Sequence, residues 1–433
     1  MTIEKEQADQ LIDFLHSNPT PGYFVSNTSS LLKKSGFQAL DLNEHWDTLS
    51  PGRNYYVNKD DAAIFAFKIP CAGFANGFKI VGAHVDSPGI KIKPNPEVLK
   101  DGYLQLNTEV YGGPILSTWF DRPLCAAGKI YCKGKDPFSP LCQLINIDRP
   151  IALIPNLAIH MNRKVNLKYS IDNQKHLLPV LKTVFDKNFS KDNVLLHLIS
   201  EESGIDVKDI LDFELTLYDH SKGCVFGLDN EFISSSRLDD QQSAYAGITA
   251  LTENKSLNAI NMVACFDNEE VGSATKQGAD SQVLSNLLER IILSLDGTRE
   301  DFLVSIARSF FISSDGAHSV HPNYGEKSDI SNRPMINKGP VIKISANQKY
   351  TSDAETTSII KGIADKEGIP LQCFVNHSNE RGGSTIGPLS STHLDMKAID
   401  LGVAMLGMHS IRETIGIKDH LYLTNLLKAF FKY

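Results

Sequence analysis

The sequence predicts an α/β protein in which a helix-covered mixed sheet is interrupted by a β-rich insertion. Three observations predict it. After Arg237, near-continuous apolar runs such as Asn261-Met-Val-Ala-Cys-Phe266 alternate with helical patterns, as strands buried on both faces do. Between about 93 and 232 the pattern is instead period two: Leu104, Leu106, Thr108 and Val110 alternate with Tyr103, Gln105, Asn107 and Glu109, and Phe213, Leu215 and Leu217 repeat the alternation. Such stretches, separated by turn residues, read as antiparallel strands with one covered face. Third, His84 and Asp239 lie 155 positions apart although both suit one centre, and a domain inserted between two strand ends permits that. The expected domains are 1–92 with 233–433, and 93–232.

The first eighty residues carry an amphipathic helix pattern, a break at Pro19-Thr-Pro-Gly22 and a second helix around 29–35. Phe78-Lys-Ile-Val-Gly-Ala-His84 reads as a buried strand that delivers His84 at its end. In the last two hundred residues, strands are expected at 259–266, 310–313, 341–344, 371–375 and 398–403, and helices at 282–295, 354–366 and 421–431.

A chain of 433 residues with 42% hydrophobic and 22% charged residues has material for a large core. Its net charge of −8 offers no basic footprint, which argues against a nucleic-acid or anionic-membrane partner. Seven cysteines, none in a CxxC pair, read as reduced thiols. The polar start Met1-Thr-Ile-Glu-Lys-Glu-Gln7 has no signal-peptide character, and no apolar run reaches spanning length. The expectation is a cytoplasmic protein.

The chemistry concentrates at strand ends. Glu269 and Glu270 close the run from Asn261; alone, such a pair is an ordinary solvated surface feature, but four other segments supply matching groups. His84 is followed two positions on by Asp86, which in extended chain lies on the same face and can fix the imidazole's tautomer. Asp239, in Arg237-Leu-Asp-Asp240, precedes a helical stretch at 241–251; it is either an N-cap or a carboxylate bridging two cations, with Asp240 the rival. Asp315 follows the strand at 310–313, where open α/β sheets bind ligands, with His318 and His321 as rival ligands. His409, in Met408-His-Ser-Ile-Arg-Glu413, completes the set. Two His, two Asp and one Glu, with a second Glu left over as general base, suit a paired-zinc hydrolytic centre. Glu269 fits the base if Glu270 is the ligand. Gly382–Gly387 opens a helix, so that its N–H groups, with Ser384 and Thr385, either hold a substrate or simply start the helix. Tyr350 is a further substrate-binding candidate. Lys343 lies in an apolar strand, where a lone ammonium needs a partner, either a local carboxylate or a substrate's acidic group.

Together these segments resemble the aspartyl aminopeptidase family, and the resemblance runs through nearly the whole chain. It rests on His84-Val-Asp-Ser-Pro88, Arg237-Leu-Asp-Asp240, Asp267-Asn-Glu-Glu-Val-Gly-Ser273, Ser314-Asp-Gly-Ala-His-Ser-Val-His-Pro-Asn-Tyr324, Gly339-Pro-Val-Ile-Lys-Ile344, Ser384-Thr-Ile-Gly-Pro388 and Met408-His-Ser-Ile-Arg-Glu413. Trp119-Phe-Asp-Arg122 and Ile154-Pro-Asn-Leu-Ala-Ile-His160 add to it from within the insertion. The resemblance implies a zinc-peptidase domain, an inserted assembly domain and a homododecamer acting on peptides with N-terminal Asp or Glu. It implies two Zn2+ per subunit, for which Co2+ or Mn2+ can substitute: His84, Asp239 and Asp315 at one, Asp239, Glu270 and His409 at the other. Glu269 is then the base, His160 reaches a neighbouring subunit's active site, and Lys343 meets the acidic substrate side chain. Two departures bear on the specificity pocket: Asn379-Glu-Arg-Gly382 stands where relatives carry a Cys-Gly pair, and Gly316 stands beside Asp315 where bulkier residues occur. The competing readings are a carboxypeptidase or deacylase with the same metals, and a non-enzymatic shell or peptide-binding protein.

Overall fold

The computed structural model describes residues 2–47, 49–255, 258–380 and 382–433. These form two compact units: Met1–Ser87 with Gly223–Met408 and Arg412–Tyr433, and Pro88–Lys222 with His409–Ile411.

The first unit is built on a nine-stranded sheet in the order Gln38–Leu40, Asn54–Lys59, Ala63–Lys68, Ile260–Phe266, Phe78–His84, Phe310–Ser314, Lys397–Gly402, Val341–Ile344 and Gln372–Val375. Its four central strands, from Ile260–Phe266 to Lys397–Gly402, run parallel. Their apolar runs are continuous because both faces are buried: Met262, Ala264 and Phe266 join one core cluster while Val263 and Cys265 join the other. Helices Pro21–Lys34, Leu238–Glu253, Ala354–Glu367 and Ile417–Lys432 supply apolar side chains to the second of these clusters. Val283–Leu293, Arg299–Ala307 and Ile386–Leu394 supply them to the first. A smaller five-stranded sheet links Cys224–Phe226, Phe232–Ser235, Glu413–Gly416, Ala404–Leu406 and Ala317–His318.

Two local expectations change. The helix expected around 29–35 begins at Pro21, because a proline at the first helical position loses no hydrogen bond there. The run at 63–68, where no strand is expected, is a fully buried strand antiparallel to Ile260–Phe266.

The second unit holds a six-stranded antiparallel sheet in the order Leu141–Ala152, Leu124–Cys132, Ile210–Asp219, Gly89–Lys100, Tyr103–Tyr111 and Val180–Thr183. Leu104, Leu106 and Thr108 are buried while their alternating neighbours are not, the period-two pattern in structural form. Helix Val194–Ser203 contributes Leu195 and Ile199 to this unit's core.

Candidate metal centre

Adjacent parallel strands deliver the site residues at their carboxyl ends. His84 closes Phe78–His84 and is paired in register with Phe266, three residues before the start of the short helical turn Glu269–Val271. On the other side, Asp315 directly follows Phe310–Ser314. Strand pairing alone therefore brings a histidine, two glutamates and an aspartate to one edge of the sheet.

Asp239 arrives from the helix. Asp239 and Asp240, joined by a cis peptide, leave helical geometry inside Leu238–Glu253, and both are buried. Asp240 Oδ2 accepts the His84 backbone N–H at 3.2 Å, while Asp239 Oδ1 lies 3.6 Å from His84 Nε2. Asp315 Oδ2 lies 4.0 Å from the same nitrogen. His84, Asp239 and Asp315 thus converge, and His84, Glu269 and Glu270 each place a ligand atom within 4.8 Å of the others.

Asp86, expected from sequence to orient His84, has a second task. His84 Nδ1 lies 3.1 Å from the Asp86 carbonyl and 3.3 Å from its Oδ1. The two oxygens of the same carboxylate accept the backbone N–H groups of Glu269 and Glu270, each at 3.1 Å. One buried side chain therefore sets both the imidazole and the turn bearing the glutamates.

The electrostatics are those of a cation site. Burial alone would lower the His84 pKa, but hydrogen bonding to Asp239 and Asp86 outweighs it and holds the ring well above its usual value. Burial pushes Glu269 up to about 7, with Asp315, Asp86 and Asp239 adding to the rise against His84. Burial raises Asp315 too, and Asp239 adds to it, against the opposing Lys343 and His84 charges. Crowded carboxylates that resist ionisation, around an imidazole that retains its proton, are relieved when a divalent cation replaces that proton. The nitrogen and carboxylate donors suit zinc, so the residues present fit the metal.

Lys343 is buried, at 3% exposure, and its ammonium donates to Asp315 Oδ1 at 2.7 Å and to the Gly316 carbonyl at 3.0 Å. The local carboxylate partner, one of the two sequence alternatives, is the one present. Tyr350 is buried, its ring centroid 5.2 Å from the Lys343 nitrogen. Thr385 donates its hydroxyl to Asp400, and Ser384 lies 3.4 Å from the Lys349 carbonyl. In the departure at 379–382, residue 381 lies outside the described residues.

His409 belongs to the short stretch grouped with the second unit; its φ is +67° and its Nδ1 lies 3.1 Å from the Gly113 carbonyl. His160 is exposed in an irregular stretch of that unit. Among the described residues, His318 and His321 join no group of three ligand atoms.

Sequence reasoning missed three supports. Glu413 accepts the Asp239 N–H at 2.9 Å; its signal was a buried glutamate inside a quoted motif. Asp400 accepts from Thr351 N–H and Oγ1 at 2.6 and 2.8 Å and from Thr385. Its signal was a charge in the middle of an apolar strand. Gly402 leaves no local signal: a Cβ there would stand 1.9 Å from the Asp315 carbonyl oxygen.

The family described as Aminopeptidase I zinc metalloprotease (M18) matches residues 14–431. The chain belongs to the M18 aminopeptidase family. It is similar to a probable M18 family aminopeptidase 2 of Clostridium acetobutylicum, 51% identical over 434 residues and covering 100% of both chains. A protein of the same description from Clostridium novyi is 50% identical over 426 residues, 98% of each chain. Among solved structures, the chain resembles one in the cryo-EM structure of the Ape4 and Nbr1 complex, with TM-score 0.95, 37% identity and coverage of 99% of this chain and 86% of that one. It also resembles the S. cerevisiae mApe1 dodecamer, with TM-score 0.85, 28% identity and coverage of 99% and 97%. Membership makes this M18 chain a zinc metallo-aminopeptidase. Among the described residues no helix is long and apolar enough to cross a membrane.

The close approach at Gly402 generates a prediction. Gly402→Ala forces backbone against backbone beneath Asp315, an overpacking of about 1–3 kcal/mol. We expect bound zinc and turnover to fall together while circular dichroism stays native. Full zinc content in the variant would show that the Asp315 backbone has room to move.

Proposed function

We propose that the protein removes N-terminal residues, preferentially Asp or Glu, from peptides at a two-zinc centre in which Glu269 is the general base. The observation that carries this reading is the convergence of His84, Asp239 and Asp315 beside Glu269 and Glu270. His84, Asp239 and Asp315 would hold one zinc, and Asp239, Glu270 and His409 the other. The Nδ1 contact of His409 with Gly113 suits Nε2 as its ligand atom. Bound zinc supplies an acidified water and polarises the scissile carbonyl.

The protein's own residues do the rest. Glu269, whose carboxyl burial already pushes up to about 7, accepts the proton of the attacking water and returns it to the leaving amine. Asp86 holds the Glu269 backbone in place through that transfer. Asp400 joins the segment at 351–352 to Thr385, so Tyr350, Ser384 and Thr385 are presented together to a substrate.

Lys343 gives the acidic preference a physical route. Its ammonium is paired with Asp315; once Asp315 spends its charge on a cation, the buried ammonium needs another anion. An Asp or Glu side chain at the substrate's N-terminus supplies it through charge-assisted hydrogen bonds.

Assembly belongs to the same reading. In the second unit Leu157, Ile159 and Met161 are exposed around His160, and such an apolar surface marks an interaction site. We place His160 at a contact between copies, in a homo-oligomer of the dodecameric kind that the S. cerevisiae relative's description names.

Two experiments test the reading. Glu269→Gln preserves shape but removes the base, so a metal-replete variant should lose roughly 10²–10⁴-fold in kcat; near-normal turnover would remove Glu269 from the mechanism. Lys343→Met should cut kcat/KM on N-terminal Asp and Glu by on the order of 10²-fold, with N-terminal Leu spared. Equal losses on Asp and Leu would show that Lys343 serves Asp315 and does not select substrate.

A further inference from the structure

The second unit carries another ligand cluster, none of whose residues is assigned above. Cys125, Asp148 and His220 each place a ligand atom within 4.8 Å of the others. They come from three neighbouring strands of the six-stranded sheet. Cys125 is on the central Leu124–Cys132, Asp148 on the edge strand Leu141–Ala152, and His220 immediately follows Ile210–Asp219.

Register explains why they meet. Tyr218 pairs with Cys125, so His220 lies just beyond the strand end at that level. On the other side, Ala126 pairs with Ile147 while Leu124 pairs with Ala152. Cys125 alone thus stands opposite the four residues from Asp148 to Ile151. That bulge carries Asp148 out of the regular ladder, and the Tyr218 hydroxyl lies 3.1 Å from Asp148 Oδ1 and 2.7 Å from Asn146 Oδ1.

The spacing is that of metal donors. Cys125 Sγ and His220 Nδ1 are 3.4 Å apart. A tetrahedral zinc with Zn–S of about 2.3 Å and Zn–N of about 2.0 Å separates those two atoms by about 3.5 Å. Cys125 is fully buried while Asp148 and His220 are exposed, so the carboxylate has room to close on a cation and water can fill a fourth position. Two carboxylates, Asp148 and Asp219, stand near the Cys125 thiol. Asp219 itself is engaged by Arg122 at 2.8 Å. A coordinating cation displaces the thiol's proton to solvent and holds the thiolate.

We propose that Cys125, Asp148 and His220 form a structural zinc site, separate from the catalytic centre, that clamps the edge strand Leu141–Ala152 to the next two strands of the sheet. The proposal does not depend on the peptidase reading, since none of its residues belongs to that site. Its signature is sulfur ligation, for the donors assigned to the catalytic centre include no thiol.

The test uses the full-length protein, stripped of metal and titrated with Co2+ alone. Wild type should develop a near-ultraviolet thiolate-to-cobalt charge-transfer band that is complete by three equivalents per subunit, two of which the catalytic centre takes. Cys125→Ser and His220→Ala should lack or weaken that band. After zinc loading and dialysis, each variant should retain one zinc per subunit fewer than wild type, at unchanged peptidase rate. Heating should then disrupt zinc-loaded Cys125→Ser several degrees below zinc-loaded wild type, with the difference closing in the metal-free proteins. Equal zinc in wild type and Cys125→Ser, or a sulfur band appearing only in large cobalt excess, would overturn the site and leave Cys125 and His220 as a hydrogen-bonded pair.

Discussion

A single buried carboxylate couples the parts of this site that must be fixed together. Asp86 touches the His84 imidazole and, through both oxygens, the backbone of Glu269 and Glu270. Without it, two part-buried amide N–H groups in the turn after Ile260–Phe266 would lose their acceptor. The metal-facing orientation of one strand end is thereby made conditional on that of its neighbour. Parallel pairing sets the strand ends side by side; Asp86 converts proximity into a defined arrangement of donors.

Around that pivot the structure concentrates negative charge where water is scarce. Asp239, Asp240, Asp315, Glu269 and Asp86 press on one another, and His84 and Lys343 offset only part of the repulsion. Such a site trades stability of the metal-free protein for affinity toward a dication, since metal binding releases protons and relieves the crowding at once. Lys343 sits at the margin of this balance, its ammonium donating to Asp315. In the two-zinc reading we propose, a metal on Asp315 would compete for that carboxylate and so link metal loading to the availability of a buried cation for substrate.

Much of this was legible in sequence because the relevant signals are local. Apolar runs ending in His84, Glu269 and Asp315 announce strands and their carboxyl ends, and Asp86 lies two residues from the histidine it orients. Longer-range dependencies were not legible. Nothing near Asp86 shows that it caps a turn 183 residues away, and Gly402 reveals its purpose only when the adjacent strand places the Asp315 carbonyl against it. Asp400 and Glu413 looked like charges in apolar or motif surroundings until the loops they anchor folded back. Cys125 and His220, 95 residues apart, meet only through strand register and a bulge. The second helix starts at Pro21 and not near 29, because a proline that breaks a helix from within is well suited to open one at its first position.

The most direct test of the central coupling is the zinc affinity of Asp86→Asn, measured by chelator competition on the full-length protein alongside kcat/KM. Asparagine keeps one acceptor oxygen and replaces the other with a donor that opposes an amide N–H. We expect zinc affinity at the catalytic centre to weaken by about 10–100-fold, kcat/KM to fall with it, and circular dichroism to remain native. Wild-type affinity and wild-type turnover in Asp86→Asn would contradict the coupling and leave His84 and the glutamate turn as independently held parts.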